Sequence, residues 1–400
     1  MSASFSATDH AHMAHALRLA ERGLYTTAPN PRVGCVIAHG DEVVGTGFHQ
    51  RAGEPHAEVY ALREAGERAR GATAYVTLEP CAHHGRTPPC ADALIAAGVG
   101  RVVVAAEDPF DQVDGRGVSR LRAAGIAVET GLMREAAREL NIGFFSRIER
   151  GRPFVRVKLA MSLDGRTALA NGDSKWITGE AARADVQRWR ARSSAILSGS
   201  GTVLADNPRL TVRLASSSLS PGSAGGEGWG EGAAFEARAP LTQPSPPSKL
   251  GGEGFKPLRV ILDRQLRTPA GSHVLDGSAP TLLIHGESAS SCTDDRFAHI
   301  KRLALPTPAD AFDLHAVLAL LAQRDVNEIH VEAGPRLCGA LFAAGLVDEL
   351  LLYIAPLLLG SEAAPLMHLP SLTDMASRWS LRLLDQRMLG PDIRLRLRPG

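Results

Sequence analysis

The stretch TLEPCAHHGRTPPC, residues 77–90, holds two cysteines, two adjacent histidines and three prolines in a chain that has only five cysteines. Thiolate and imidazole groups are ligands that zinc prefers. An earlier stretch, GEPHAEVYAL at residues 53–62, adds another histidine and a glutamate. Four interpretations of residues 77–90 are open at this point: a metal site, a disulfide, a reactive thiol or a tight loop.

The composition is that of an ordinary soluble globular protein. The chain has 400 residues, a formal net charge of +1, 44% hydrophobic residues and 22% charged residues, which predicts two domains with well-buried cores. A near-neutral charge does not favour a long polyanion, so we expect small-molecule partners and no nucleic acid. The N-terminal stretch MSASFSATDHAHMAHALRLAERG lacks the apolar run of a signal peptide, and no window is long enough to span a membrane. Together with the sparse cysteines, this predicts a cytoplasmic protein without a membrane partner.

Hydrophobic patterns predict an α/β domain over residues 1–146. Short strands alternate with short helices, which indicates a sandwich around a mixed sheet. The sequence NIGFFSRIERGRP, residues 141–153, has the charges and the Gly-Pro punctuation of an inter-domain linker. The predicted strands cover residues 33–38, 42–49, 72–78 and 101–108, and the predicted helices cover residues 8–22, 56–70, 90–97 and 133–141.

A second alternating series predicts another α/β domain over residues 152–400. Residues 215–256 interrupt it with a Gly-, Ser- and Pro-rich tract, which is typical of a disordered surface insertion. The predicted strands cover residues 154–162, 195–199, 258–263, 281–285, 328–333, 349–356, 379–386 and 392–398, and the predicted helices cover residues 178–192, 309–323 and 335–345.

His56, Cys81 and Cys90 are the candidate ligands of a catalytic zinc ion, with Glu58 as the candidate proton shuttle. A catalytic site keeps three protein ligands and leaves a position open for water, whose pKa zinc lowers to about 7. Each ligand follows a proline and is predicted at a helix start, where the positive helix end favours a thiolate. Glu58 is suited to protonate an amino group that leaves as ammonia. Residues two apart diverge by about 200° on a helix, so His56 and Glu58 converge only if the site lies at the helix end.

Two structural alternatives use the same residues. Cys81 and Cys90 can form a disulfide, although a reducing compartment disfavours it. A closed structural zinc site would take His83 or His84 as a fourth ligand, although structural sites prefer short fixed spacings. In the closed site Glu58 has no role, and the three other cysteines receive no metal-binding role in any interpretation.

The order of these motifs resembles a known enzyme family. His-Ala-Glu followed by Pro-Cys and a second cysteine is similar to the cytidine and nucleobase deaminase superfamily, whose usual spacing between the cysteines is two residues. Here the spacing is eight residues, and NPRVGCVI, GEPHAE and TLEPCAHHGRTPPC follow in order. This combination resembles the deaminase half of the bifunctional riboflavin-biosynthesis deaminase-reductase family. The resemblance implies a cytidine-deaminase-like α/β/α sandwich and one zinc ion per chain.

The same resemblance implies a site for a pyrimidine and its ribose phosphate. Arg86 suits a phosphate on charge alone. The family usually reads Asp-Pro-Asn-Pro where this chain reads DPFD at residues 108–111, so Phe110 replaces a polar contact. The implied contacts are Asn30, His49, His83, Arg86 and Asp108.

Residues 152–400 resemble the reductase half of the same family, which has a dihydrofolate-reductase-like α/β fold and uses NADPH. The resemblance is carried by KLAMSLDGRTA, SKWIT, SGSGTVLADNPRLTVR, VEAGPRLCGALFAAGLVDEL and YIAPLLLG. Within these motifs, Gly334 and Pro335 are predicted at a helix entrance whose backbone N–H groups can bind a pyrophosphate. Taken alone, that pattern fits a plain strand-to-helix turn equally well.

The reductase resemblance also implies contacts residue by residue. Arg190 and Arg213 are interpreted as clamps for a sugar phosphate, and Lys158 as an inward charge on an apolar strand. Arg264 stands where the family often has a serine and is a candidate for the 2′-phosphate of NADPH. The implied NADPH contacts are Ala160, Trp176, Thr202, Asp206, Gly334, Pro335, Arg336, Leu337, Cys338, Gly339 and Ala340. The implied substrate contacts are Lys158, Ser174, Arg190, Leu210, Arg213 and Glu332.

The predicted function is therefore bifunctional. The resemblance implies deamination of 2,5-diamino-6-ribosylamino-4(3H)-pyrimidinone 5′-phosphate by a zinc-activated hydroxide. It also implies NADPH-dependent reduction of the ribosyl group of 5-amino-6-(5-phosphoribosylamino)uracil to ribityl, in a protein that the family suggests is a homodimer. Two rivals remain: a deaminase acting on a base in a nucleic acid, which the near-neutral charge disfavours, and a chain in which one half has become a structural module.

Overall fold

The computed structural model describes residues 5–82, 89–110, 115–213, 256–289 and 295–400. The described residues divide into an N-terminal unit, which ends at Asn141, and a C-terminal unit, which begins at Ile142. The predicted insertion at residues 215–256 lies outside the described residues except for Lys256.

The N-terminal unit is a sandwich of helices around a five-stranded mixed sheet. Its elements are α1 (Ala7–Glu21), β1 (Gly34–His39), β2 (Glu42–Phe48), α2 (Ala57–Ala65), β3 (Thr73–Leu78), α3 (Cys90–Ala97), β4 (Arg101–Ala106), α4 (Arg116–Ala123), β5 (Ala127–Thr130) and α5 (Arg134–Leu140). The strand order is β2-β1-β3-β4-β5. The β1–β2 and β1–β3 pairs are antiparallel, whereas β3–β4 and β4–β5 are parallel.

Helix α2 lies unusually close to strand β2. A Cβ atom at Gly47 would lie 2.1 Å from the backbone oxygen of Ala57, so only glycine permits this approach. Buried Ile37, Val76 and Val104 form part of the core on this side of the sheet. The start of α2 is therefore fixed against the sheet by backbone packing.

The parallel strands β3 and β4 end side by side. Leu78 pairs with Ala106 at the carboxyl ends of these strands. The chain that follows β3 leads to Cys81, and the chain that follows β4 leads to Asp108. Two of the predicted functional segments therefore leave the same edge of the sheet, which is where ligands commonly bind in α/β proteins.

The C-terminal unit is built on a nine-stranded sheet. Its helices are α6 (Ile142–Arg150), α7 (Glu180–Arg192), α8 (Ser200–Asp206), α9 (Leu314–Ala322) and α10 (Pro335–Ala343). Its strands are β6 (Phe154–Ser162), β7 (Arg166–Ala168), β8 (Ala195–Gly199), β9 (Leu258–Leu262), β10 (Thr281–Gly286), β11 (Lys301–Leu305), β12 (Glu328–Val331), β13 (Glu349–Ala355), β14 (Ala364–Pro365), β15 (Leu381–Leu389) and β16 (Asp392–Pro399). The order is β11-β10-β9-β8-β12-β6-β13-β16-β15, parallel up to β13 and antiparallel beyond it, while β7 pairs with β14.

The two faces of this sheet differ sharply in polarity. On β6, Val155 and Val157 belong to the main hydrophobic core. Between them, fully buried Arg156 points to the opposite face and donates to Glu349 at 2.7 Å and to Glu328 at 2.9 Å. Removing one member of such a buried ion pair typically costs about 3–5 kcal/mol. These charged residues therefore form a buried ion-pair network and are not exposed to solvent.

Most predicted elements are present, but helices α4, α6 and α8 and strands β5, β7, β11 and β14 were not predicted. Residues 142–150, predicted as part of a linker, form helix α6 with Phe144 and Phe145 buried. Helix α4 and strand β5 were not predicted, because α4 is rich in arginine and buries only Gly117, Val118 and Leu121. Helix α8 was not predicted either, since it is only 7 residues long.

Candidate zinc and reductase sites

His56 stands at the entrance of α2 and not within it. It is the N-cap residue, with extended backbone angles of φ −77° and ψ 168°, and Glu58 lies in the first helical turn. Ideal helical divergence therefore does not apply to this pair. The site does lie at the helix end, as the sequence required for His56 and Glu58 to converge.

The three predicted ligands converge. One ligand atom from each of His56, Cys81 and Cys90 lies within 4.8 Å of the other two. The Nδ1 atom of His56 is 3.3 Å from the Cys90 sulfur and 3.6 Å from the Cys81 sulfur. Tetrahedral zinc with ordinary bond lengths separates a nitrogen and a sulfur ligand by about 3.6 Å. The residues present therefore fit a zinc ion.

Cys81 differs in one respect from the prediction. Cys81 and Ala82 are not helical, so Cys81 does not begin a helix. Cys90 is the first residue of α3, and its backbone N–H donates to the Cys81 sulfur at 3.3 Å. The helix end that stabilises a Cys81 thiolate is therefore that of α3.

The electrostatics of this cluster favour a cation. A hydrogen bond from the Cys90 thiol, supported by His56, lowers the pKa of Cys81. A hydrogen bond to Cys81 in turn raises the pKa of His56. A lowered pKa favours the thiolate form of Cys81, which is the form that binds zinc.

Glu58 lies beside the cluster with an unused acceptor. It is 2% exposed, and burial raises the pKa of its carboxyl, an effect that the His56 charge opposes. Its Oε2 atom has no hydrogen-bond partner among the described residues. An unpartnered buried carboxylate oxygen is costly, and such groups are commonly retained for function.

Some predicted substrate residues lie next to the zinc cluster. The Nδ2 atom of Asn30 is 3.2 Å from Nε2 of His49, and Nδ1 of His49 is 3.1 Å from the backbone oxygen of Pro55. The rings of His49 and His56 are perpendicular, with centroids 5.5 Å apart. His49 therefore packs against the predicted ligand His56, and Asn30 is bonded to His49.

Of the remaining predicted contacts of this site, the structure describes Asp108 but not His83 or Arg86. Asp108 is buried, and its Oδ1 accepts from the backbone N–H of Phe110 at 3.0 Å. The Phe110 side chain is partly exposed. His83 and Arg86 lie outside the described residues, so their roles stay predictions.

In the C-terminal unit, Glu332 and Arg190 form a buried bidentate ion pair. Nε and Nη2 of Arg190 donate to the two carboxylate oxygens of Glu332, and Nη1 donates to the backbone oxygen of Thr211 at 2.9 Å. Burial raises the pKa of Glu332, but the charge and hydrogen bonds of Arg190, together with His330, hold it well below the ordinary value. Arg190 therefore bonds Glu332 and Thr211 in this structure, and its predicted role at a sugar phosphate stays a prediction.

Lys158 is a half-buried cation that interacts with this pair. Burial lowers the pKa of its ammonium, and the Glu332 charge opposes that effect. Its Nζ atom lies 6.0 Å from the ring centre of Tyr353. A half-buried ammonium next to a carboxylate is suited to hydrogen-bond a polar ligand.

Gly334 and Pro335 form the predicted helix entrance. Gly334 is the N-cap of α10 and Pro335 is its first residue. A Cβ atom at Gly334 would lie 3.9 Å from the Thr202 hydroxyl, which places the N-cap of α10 beside α8. Two predicted cofactor motifs therefore meet where β8 and β12 end as parallel neighbours.

Other predicted reductase residues have mixed surroundings. The predicted cofactor residue Trp176 is 71% exposed, with the Arg183 guanidinium 4.7 Å above its ring. Leu210 is buried in a hydrophobic cluster, so its side chain has a packing role. Arg213 is exposed, and its backbone N–H donates to Gln187 at 2.8 Å. Arg264 contacts Asp310. The remaining predicted residues are half-buried Ala160 and Ser174, exposed Asp206, half-buried Leu337, buried Cys338 and Gly339, and exposed Arg336 and Ala340.

Two buried polar residues were not predicted from the sequence. Glu79 immediately precedes Pro80 and Cys81 and accepts backbone hydrogen bonds. His330 is fully buried, with Nε2 3.4 Å from Glu332. The alternation of Glu328, His330 and Glu332 along one strand was the available signal for His330, whereas nothing near Glu79 in sequence indicated its partners.

Comparisons with known proteins find relatives for both halves of the chain. A family profile described as the cytidine and deoxycytidylate deaminase zinc-binding region matches residues 6–106, and a RibD C-terminal domain profile matches residues 153–395. The riboflavin biosynthesis protein RibD of Escherichia coli is 48% identical over 389 residues, which is 97% of this chain and 99% of that protein.

Two solved structures resemble the whole chain. Acinetobacter baumannii RibD has a TM-score of 0.82 at 42% identity, covering 98% of this chain and 99% of that one. A diaminohydroxyphosphoribosylaminopyrimidine deaminase/5-amino-6-(5-phosphoribosylamino)uracil reductase from Thermotoga maritima has a TM-score of 0.79 at 30% identity, with the same coverage.

A zinc-binding deaminase fold joined to a reductase fold defines the class of bifunctional deaminase-reductases. The predicted fold class is confirmed in both halves. The chain belongs to the RibD family of riboflavin biosynthesis enzymes, and the predicted dependence on zinc and NADPH is confirmed with it. In the part of the chain that the structure describes, every helix is too short or too polar to cross a membrane.

Proposed function

We propose that this chain catalyses two consecutive steps of riboflavin biosynthesis on small phosphorylated pyrimidines. The N-terminal unit hydrolyses the 2-amino group of 2,5-diamino-6-ribosylamino-4(3H)-pyrimidinone 5′-phosphate. The C-terminal unit reduces the ribosyl group of the resulting 5-amino-6-(5-phosphoribosylamino)uracil to ribityl. The observation that carries the proposal is the convergence of His56, Cys81 and Cys90 beside buried Glu58.

In the proposed deamination, His56, Cys81 and Cys90 hold one zinc ion and Glu58 moves the proton. When bound, zinc supplies the Lewis acidity that makes water a nucleophile near neutral pH. Oε2 of Glu58 would take a proton from the attacking water as the C–O bond forms at C2 of the pyrimidine. Glu58 then gives the proton to the amino nitrogen, the C–N bond breaks, and ammonia leaves.

Asn30, His49 and Asp108 are proposed to orient the pyrimidine. His49 is held by the Pro55 oxygen through Nδ1, so its Nε2 is the acceptor for the Asn30 amide. This arrangement fixes the Asn30 side chain against His49, whose ring packs against His56. His83 and Arg86 are proposed contacts on sequence grounds alone, with Arg86 at the phosphate.

In the proposed reduction, Lys158 and Glu332 bind the sugar and the motif at residues 334–340 binds NADPH. NADPH supplies the hydride. Opening the ribosyl ring to ribityl also requires a proton. The Lys158 ammonium is the proposed proton donor. Ser174, Leu210 and Arg213 are proposed substrate contacts, and Ala160, Trp176, Thr202 and Asp206 are proposed cofactor contacts.

Lys158→Met tests this assignment. We expect NADPH oxidation with the deaminated substrate to fall by about a hundredfold or more, because the variant removes a polar donor while keeping the length of the side chain. Ammonia release by the same preparation should not change. Lys301→Met, on exposed strand β11, is the matched control and should retain both activities. Unchanged NADPH oxidation in the Lys158 variant would exclude Lys158 from the reaction.

A homodimer is proposed through the edge of the nine-stranded sheet. Strand β15 is the outermost strand on one side. Leu381, Leu383 and Met388 on β15 are 39%, 52% and 61% exposed, an apolar edge that natural proteins usually cover. We expect sedimentation to give a mass of two chains and Leu383→Arg to shift it toward one. A single-chain mass for the unchanged protein would contradict the dimer.

The cytoplasm is the proposed compartment. The described cysteines, Cys35, Cys81, Cys90 and Cys338, are all free of disulfides. Two of them are proposed thiolate ligands, and a reducing compartment keeps such ligands available.

A further inference from the structure

Glu79 is a buried carboxylate that the proposed deamination does not use. It is 4% exposed, directly follows β3 and lies two residues before Cys81. Its Oε1 accepts from the backbone N–H of Val118 at 3.0 Å. Its Oε2 accepts from the backbone N–H of Gly115 at 3.1 Å and of Asp108 at 3.4 Å. One side chain thus binds three backbone donors that are distant from it in sequence.

The three donors belong to the segment that follows β4. Asp108 is a proposed substrate contact, Gly115 is the N-cap of α4, and Val118 is in the first turn of α4. Helix α4 has no side-chain cap of its own. Because the first N–H groups of a helix lack intrahelical partners, a carboxylate supplied from β3 satisfies them and complements the positive helix end.

Backbone packing joins the same two segments. A Cβ atom at Gly117 would lie 1.9 Å from the backbone oxygen of Pro80, so α4 rests directly on the chain between Glu79 and Cys81. The backbone N–H of Glu79 also donates to the oxygen of Ala106 at the end of β4 at 2.9 Å. The Cys81 segment and the Asp108 segment are therefore fastened together on both sides of the Glu79 side chain.

We propose that Glu79 is a positioning residue for deamination. Its carboxylate sets the position of Asp108 relative to Cys81, so that the substrate contact and the metal ligand keep a fixed spacing. The inference rests on the proposed function, since it takes Cys81 as a ligand and Asp108 as a contact. A carboxylate is required because both oxygens accept, whereas a glutamine amide would direct an NH2 group at one or two backbone N–H donors.

Glu79→Gln in the full chain tests the inference. Each hydrogen bond to a charged group stabilises a structure by about 1.5–3 kcal/mol. Losing part of the three bonds that Glu79 accepts should therefore raise KM for the deamination substrate about ten- to a hundredfold. The change in kcat should be much smaller, the zinc content should stay as in the unchanged chain, and NADPH oxidation should be unaffected. KM does not depend on the fraction of active enzyme, so it remains informative if the variant folds poorly.

Two further variants make the result specific. Glu64→Gln is the matched control, because Glu64 also binds a backbone N–H, that of Thr46 at 2.8 Å, but lies on the exposed side of α2. It should leave KM unchanged. In a cycle with Asp108→Asn, the double variant should lose less than the product of the single effects, since Glu79 acts through Asp108.

Each failure has a distinct reading. An unchanged KM in the Glu79 variant, or a loss of kcat and zinc with KM unchanged, would overturn the positioning role and leave the proposed function standing. Multiplicative effects in the cycle would likewise overturn a role that acts through Asp108. If the unchanged chain released no ammonia, the proposed function would fail and the inference with it.

Discussion

Glu58→Gln is expected to lower the rate of ammonia release by about a thousandfold, within the range typical of a lost general acid–base group. Glutamine keeps the shape of the side chain but cannot take a proton from water and return it to the amino group. Glu58 is buried against the cluster and has an unpartnered Oε2 atom among the described residues. The loss should therefore appear in kcat, without loss of zinc.

The control for this prediction lies on the same helix. Glu64→Gln makes the same chemical change at an exposed position of α2 and should retain ammonia release. When the deaminated substrate is supplied, NADPH oxidation should be the same in both variants and in the unchanged chain. Substantial residual deamination in the Glu58 variant would exclude it as the proton shuttle, and loss of zinc would indicate that it is a ligand.

Cys81→Ala is expected to abolish both zinc binding and ammonia release. It leaves His56 and Cys90 as two ligands where a catalytic site keeps three. It also removes the sulfur that receives the N–H at the start of α3. We expect ammonia release to fall by about a thousandfold or more after dialysis, while the C-terminal unit still oxidises NADPH.

Cys35→Ala separates a ligand from a cysteine that is only buried. Cys35 lies in β1 with no exposed surface, and burial raises the pKa of its thiol well above the ordinary value. Its replacement should leave zinc content as in the unchanged chain, measured by atomic emission on the dialysed protein. Retention of zinc by the Cys81 variant would show that another residue completes the shell.

The sequence predicted the zinc cluster because its residues lie in short, punctuated motifs. His56 follows Pro55, and the prediction that the site caps a helix end agrees with the extended backbone of His56. The strands were predictable from apolar runs such as residues 102–106, which are buried on β4. Helix α4 was not predicted because it contains few apolar residues.

What the sequence did not reveal are the long-range polar pairs. Arg190 and Glu332 are 142 residues apart, and nothing local indicates that the arginine is committed to the carboxylate. Lys158 was recognised as an inward charge because apolar residues flank it. Arg156 lies in the same alternating pattern, yet it forms a buried ion-pair network. Binary patterns locate an inward polar group and do not identify its partner.

The central claim is that one chain carries two separate chemistries, of which only deamination depends on the His56, Cys81 and Cys90 cluster. The most direct measurement follows ammonia release and NADPH oxidation on the same purified protein before and after zinc removal by a chelator. We expect the chelated protein to release no ammonia, to oxidise NADPH normally with the deaminated substrate, and to regain ammonia release when zinc returns. Ammonia release that persists without zinc would contradict this claim.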